Sequence, residues 1–339
     1  MITLADNAEL AFSFPEVHED AVLHVAFQRT LRIPDDGKTY ILPPGLGSFP
    51  LQHVDDHVAS VSPAWIEHGG VMLPMYQSEA MWIYFRSGRW GGGYPFAVKI
   101  ATGKVNAVSG KRYKEGLNRR PQDYVVSPGQ PWLDGYCVKK GLIRQFVAMP
   151  LGAGYTAEEQ LTGKADVGGI QIIAYPIKPE VYQRLQRAGE RFGLSEDISC
   201  MTKSCISDMG LAPGGLMKQD IYRDPYQSSD WHLAHSSRCF VHIANSLVWR
   251  QITGQNPPTV PPTSAEYTEA GLPWFDYYDD NLTAVEGSGI LAKLKSVVAM
   301  GKKKGDVPLP ENESVSPKNV IVLREGLKEG QVREWKKAI

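Results

Sequence analysis

Six side chains between Cys200 and His242 form the densest collection of reactive groups in the chain: Cys200, Cys205, His232, His235, Cys239 and His242. Thiolates and imidazoles bind zinc, and a thiol beside an imidazole can serve as a nucleophile with its base. Three of the four cysteines and three of the eight histidines fall within these 43 residues. Their order, Cys-x4-Cys and then His-x2-His-x3-Cys-x2-His, lacks the tight Cys-x2-Cys knuckle of common zinc modules. Some element must therefore gather them. A helix from about Ser237 to Thr253, stopped by Gly254, would bring His235, Cys239 and His242 within about 60° of one another on one face. Cys200 or Cys205 would then close a tetrahedral site. In a catalytic centre water would take that position, with Asp208, Asp220 or Asp230 as base or support. The expected metal set is thus Cys200, Cys205, His235, Cys239 and His242, with zinc as the candidate cofactor. The competing reading is packing, because cysteine behaves as a small hydrophobe and a histidine beside an apolar stripe is usually hydrogen-bonded at its rim.

A second constellation is aromatic and acidic. Pro273 to Asp280 holds Trp274, Phe275, Tyr277 and Tyr278 together with Asp276, Asp279 and Asp280. Such a segment can stack on a sugar or planar ligand, or on a partner, while its carboxylates bind hydroxyls, a cation or basic groups. It can equally serve as a strap whose aromatics plug a groove of the same molecule. Trp82, Tyr84, Trp90 and Tyr94 flank the run Gly91-Gly-Gly93, an arrangement that suits either a ligand lid or buried strand aromatics.

Three further patterns are weaker. His53-Val-Asp-Asp-His57 has the i, i+4 histidines of a metal-binding helix but lacks the glutamate of the metalloprotease motif, and the surrounding prolines favour a loop. Gly152-Ala-Gly154-Tyr-Thr-Ala157 satisfies the dinucleotide fingerprint in form, but the helix it opens is short and no acidic residue ends the next strand. Neither a phosphate-binding P-loop nor a nucleophile elbow is present. Lys302 to Lys304 fit the negative end of a helix dipole.

Composition bounds the elements that hold these groups. The 339 residues are 42% apolar, enough for a large core, and length alone suggests about two domains. With 36 basic and 37 acidic side chains, the formal charge of -1 provides no global field for nucleic acid or an anionic membrane, so neither is expected as a partner. The first fourteen residues have no basic residue before an apolar stretch, and no run reaches the length of a membrane helix. Four cysteines do not make a disulfide framework, so the expected location is cytoplasmic.

The first half reads as strands. Leu23, Val25, Phe27, Leu31 and Ile33 lie among His24, Gln28, Thr30 and Arg32 with the period of a half-buried strand, and Pro34-Asp-Asp-Gly37 turns the chain. Further strands are expected at 71–76, 80–85, 95–100, 105–108, 124–126, 136–138 and 142–149. After residue 150 helical signals enter: a capping box at Thr156-x-x-Glu159, a helix over 179–192, the helix over 237–253, a second box at Thr263-x-x-Glu266 after a proline-rich connector, and a helix over 290–300. Strands are expected at 169–175 and, in the polar tail, at Val320 to Leu323.

The fold class expected is α+β. Residues 1–150 would form a mainly antiparallel meander, sandwich or open barrel and residues 151–339 a mixed half, with a soft boundary that allows one continuous domain. The functional expectation is a soluble binding or assembly protein that uses its aromatic-rich loops on a protein partner or a small polar ligand. The alternative is a hydrolase-like enzyme dependent on metal or thiol chemistry near residues 200–242.

Overall fold

A computed structural model describes residues 1–88, 93–188, 208–278, 282–306 and 312–324. The principal strands are β1 (Ile2–Ala5), β2 (Glu9–Ser13), β3 (Val22–Thr30), β4 (Val71–Met75), β5 (Ala80–Arg86), β6 (Phe96–Thr102), β7 (Leu142–Pro150), β8 (Ile170–Pro176), β9 (Asp208–Lys218), β10 (Ser237–Asn245), β11 (Trp274–Tyr278) and β12 (Val320–Arg324). Helices are short: α1 (Pro63–His68), α2 (Ala157–Thr162), α3 (Pro179–Ala188), α4 (Ser246–Thr253), α5 (Ser264–Glu269) and α6 (Val297–Lys304). Among the described residues no helix is long and apolar enough to cross a membrane.

One large sheet dominates. Its antiparallel neighbours run β1–β2–β3–β5–β7–β9–β10–β8–β6. Two junctions are narrow: β5 meets β7 only at Met81↔Phe146 and Ala80↔Val147, and β9 meets β10 only at Asp208↔Ala244 and Met209↔Ile243. A sheet joined by so few pairs can bend there, which lets its apolar sides enclose one core. Strands β9, β10 and β8, from after residue 150, lie between β7 and β6 from before it, and Phe12, Phe27, Phe96, Phe146 and Ile172 share one apolar cluster with no exposed surface. The fold is β-rich, with one large, mainly antiparallel sheet and few helices; the expected division into an antiparallel first half and a mixed second half is not confirmed by this order.

Local signals explain most of the elements. The alternation in β3 buries Leu23, Val25 and Phe27 completely. Thr156 caps α2 reciprocally with Glu159, and Gly163 ends it in the left-handed conformation. The same box operates between Thr263 and Glu266 in α5. β4 enters the sheet parallel to β10, from Val71↔Val241 to Met75↔Asn245. Gly70, at φ +86°, makes this approach possible, since a Cβ there would lie 2.2 Å from the Phe240 carbonyl oxygen.

Two helical expectations are corrected. Ser237 to Asn245 is a strand, and only Ser246–Thr253 is helical. Cys239, Val241 and Ile243 recur with period two, and two of them are β-branched, so sheet pairing on both sides outcompetes the helix. Asn245 marks the change, its side chain accepting the Leu247 N–H at 3.1 Å as an N-cap. The expected helix over 290–300 is a 3-10 turn at Leu291–Lys293 followed by α6, which starts at the Ser296 cap. In the 179–192 segment the helix is described to Ala188, and 189–192 lie outside the described residues.

The proline-rich connector is pinned to the sheet. Arg29 and Glu79, both 1% exposed, form an ion pair at 2.6 Å, and Arg29 also donates to the Thr259 carbonyl at 2.7 Å. Tyr76 donates its hydroxyl to the Pro258 carbonyl at 3.0 Å. These bonds fix the path by which the chain reaches α5 and β11.

Candidate functional site

The strand at Ser237–Asn245 separates the groups that a helix would have joined. Successive side chains of a strand point to opposite faces, so Cys239 and His242 cannot share one. Cys239 is 5% exposed within the main core, and its thiol donates to the Phe240 carbonyl at 3.4 Å. Burial pushes its pKa up to about 12, and that of Cys137 likewise. Neither thiol is thus prepared to act as a thiolate near neutral pH.

His242 lies against α1. Its ring stacks on Trp65 at 4.7 Å, and its Nε2–H donates to the Gly69 carbonyl at 3.0 Å. Burial pushes its pKa down to about 4, with His68 adding to the effect and the Gly69 bond opposing it. His68 in turn stacks on Phe240 at 4.4 Å, and Arg238 covers that ring. These rings line the seam between α1 and β10 as packing.

His235 belongs to neither place. Its Nδ1 is 3.4 Å from Glu16, and its ring meets His232 edge-on at 4.3 Å. Cys200 and Cys205 lie outside the described residues. Among the described residues no three His, Cys, Asp or Glu side chains gather as a metal site would require. His53 and His57 sit at a short 3-10 turn, where His57 pairs with Gln52. The Gly152–Ala157 segment spends its backbone donors internally, Gly154 N–H and Thr156 N–H both bonding to the Glu159 carboxylate.

The aromatic segment becomes β11, in which Trp274 is buried and Phe275, Asp276 and Tyr277 are partly buried. Trp274 is fully buried between Tyr40 and Tyr267, with its indole N–H on Thr268 Oγ1 at 3.2 Å. Phe275 exchanges both backbone hydrogen bonds with Leu42 at 2.9 Å. Asp276 receives Lys218 Nζ at 2.6 Å, and Tyr277 packs on Trp132 at 4.7 Å. Tyr278 is the last residue of the strand, and Asp279 and Asp280 lie outside the described residues. Of the aromatics around the glycine run, Tyr94 is buried with its hydroxyl on the Ile177 carbonyl at 2.6 Å, and Trp82 packs edge-on against Trp132. Trp90 lies outside the described residues.

Beneath Tyr277 is a recess of about 240 Å³ lined by Trp132, Tyr222, Gln130, Gln219 and Lys218. Buried beside it, Asp134 receives Gln219 Nε2 at 2.6 Å, and its backbone N–H donates to Gln219 Oε1. Burial raises the Asp134 pKa to about 7, the Trp132 and Gln219 bonds opposing the shift. A carboxyl poised near neutrality beside a recess is a feature of many active sites. Here, however, the recess has room for little more than a water molecule, and the Gln130 and Gln219 amides already donate to the Trp132 and Asp220 carbonyls and the Asp134 carboxyl. A neighbouring recess of about 350 Å³, lined by Val126, Pro128, Tyr222, Arg223, Tyr226 and Leu282, offers mostly apolar walls.

What the polar tail places next to β11 is different in kind. β12 pairs with β11 in parallel, from Trp274↔Val320 to Tyr278↔Arg324. Its other edge meets no strand among the described residues. Val320, Ile321, Val322 and Leu323 are 43%, 42%, 50% and 40% exposed. Since neighbours in a strand face opposite ways, β12 shows apolar surface on both faces as well as an edge of backbone donors and acceptors. The uninterrupted Val-Ile-Val-Leu run announces the strand in the sequence, but nothing in it announces the exposure.

Comparison with protein-family models, with curated proteins and with solved structures finds no match.

Proposed function

We propose that the protein works by binding another polypeptide, which adds a strand to the outer edge of β12. The observation that carries this reading is the exposure of all four apolar residues from Val320 to Leu323. Single exposed apolar side chains are ordinary, but four in succession along a sheet edge that meets no strand among the described residues are what natural sheets avoid unless a partner covers them. Strand addition satisfies that edge through main-chain hydrogen bonds while side chains on both faces supply selectivity. The aromatic segment supports rather than touches the partner: Trp274 anchors β11 in the core, and β11 presents β12.

The two recesses favour no competing reading. The smaller is already filled by its own polar network, and the charged side chain lining the larger, Arg223, is bonded to the Ala284 carbonyl and to Glu286. A photoreactive amino acid at position 322, irradiated in cell extract, should give a discrete adduct. The same group at Val260, 66% exposed in the connector, should not. Equal labelling at the two positions, or none at 322, would overturn the proposal.

A further inference from the structure

A balanced total charge conceals a local excess. Between Lys111 and Arg120 the chain has five basic residues and one acidic residue, Glu115, although its formal total is -1. Lys111, Arg112, Lys114 and Arg120 are exposed, and among the described residues none of the four forms a side-chain hydrogen bond or ion pair. The carboxylates of this region are already matched by other cations. Asp123 receives Lys99 Nζ at 2.8 Å, Glu115 lies 3.5 Å from Arg238, and Asp166 receives Lys104 Nζ at 2.5 Å. Asp166 also feels Lys164 and Arg112, so three cations surround one carboxylate.

These charges stand on a fixed piece of backbone. The Asn106 N–H donates to the Lys111 carbonyl at 2.9 Å and the Tyr113 N–H to the Lys104 carbonyl at 2.8 Å. Lys99, buried on β6, donates to the Gly116 carbonyl at 2.6 Å, and the Gly116 N–H donates to the Tyr175 hydroxyl at 2.7 Å. Arg119 turns inward to the Asp224 and Tyr226 carbonyls. A ligand that meets this surface therefore has little backbone to order.

We infer that this surface binds the phosphate backbone of a nucleic-acid duplex without selecting bases. A polyanion is the partner whose charge complements the excess. Protein interfaces are centred on apolar groups and depleted in lysine, whereas no large apolar side chain between 104 and 121 is exposed. Basic surfaces that hold membranes use unbroken runs of cations or an amphipathic helix; here exposed Glu115 divides the cations and no helix carries them. Single strands stack their bases on aromatic faces, and the rings nearby are already engaged, Phe240 by His68 and Arg238 and Tyr113 by Lys99. A duplex asks only for cations against phosphates, and it carries about one charge per 1.7 Å of axis. The surface includes no residue of β11 or β12, so it stands independently of strand addition.

The test is fluorescence anisotropy of the full chain with a labelled DNA duplex of mixed sequence, about 20 base pairs long, from about 50 to 200 mM salt. Four phosphates neutralised by Lys111, Arg112, Lys114 and Arg120 should give log affinity against log salt a slope of about -3.6. Lys114→Ala should make the slope shallower by about 1, and alanine at all four positions, in a chain folded by circular dichroism, should abolish binding. Lys302→Ala with Lys303→Ala, exposed cations of α6, should change neither. Absence of binding at the lowest salt, or an equal loss from the α6 pair, overturns the inference. So does tighter capture, through the same four residues, of phosphatidylserine-containing vesicles, of polyglutamate or of a single DNA strand of the same length.

Discussion

β4 and β12 are both five-residue, mostly apolar strands, Val-Met-Leu-Pro-Met and Val-Ile-Val-Leu-Arg, each joined to a neighbour by parallel pairing. Their fates are opposite. Leu73 in β4 is fully buried, and Met72 and Met75 likewise, whereas Leu323 in β12 is 40% exposed. β4 is covered on one side by the main core and on the other by Val54, Trp65 and Trp249, which pack on Met72 as a smaller cluster. Among the described residues, β12 has only β11 beside it as a strand. An apolar run thus specifies that a strand forms; whether it stabilises the fold or awaits a partner depends on what the rest of the chain lays over it.

The comparison can be broken most forcefully at the bridge between the two regimes. Trp274 belongs to the ribbon by pairing but to the core by burial, so Trp274→Ala should cost about 3–5 kcal/mol in denaturant unfolding. A loss below about 1 kcal/mol would place β11 with the exposed ribbon. Next in size is the direct contrast of identical substitutions. Leu73→Ala should destabilise by about 2–5 kcal/mol, and Leu323→Ala by about 1 kcal/mol or less. Equal effects would erase the distinction between the strands.

Titration sharpens the same contrast from its two sides. His242, in register with Met72 of β4, has its folded-state pKa lowered to about 4. The unfolded chain therefore binds a proton first, and the stability conferred by neutral His242 is lost as pH falls from about 6.5 towards 4. Asp134, beside the Trp132–Tyr277 contact under β11, is raised to about 7, so the folded state holds its proton longer. Its contribution is present below about pH 4 and is lost as pH rises towards 7. His242→Gln should flatten the acid limb of the stability profile and Asp134→Asn the limb approaching neutrality, each by roughly 2–4 kcal/mol across its window. A substitution that leaves its limb unchanged would show that the group does not titrate as its burial requires.

Legibility follows the range of the forces involved. Period-two alternation marks Val22–Thr30, apolar runs mark Ala80–Arg86 and Leu142–Pro150, and the two capping boxes at Thr156 and Thr263 form as spelled out, because these signals act over a few residues. The segment around Cys239 is illegible locally for the converse reason. Ser237–Asn245 is compatible with two periods, and its choice is made by β8 and β4, strands distant from it in sequence. The expected grouping of His235, Cys239 and His242 depends on that choice, and the three disperse to Glu16, the core and Trp65.

Residue types alone determined that this is a chain with ample apolar material, rich in strands, with thiols and imidazoles clustered between 200 and 242 and aromatics between 273 and 280. Tertiary structure decided what those groups are used for. It turned Trp274 inward, set His242 and Cys239 on opposite faces of one strand, and left Val320 to Leu323 40–50% exposed. Burial is a property of the space between elements rather than of the residues within one. A strand cannot encode its own cover, and the reading of β12 as a binding edge becomes possible only when the sheet around it is complete.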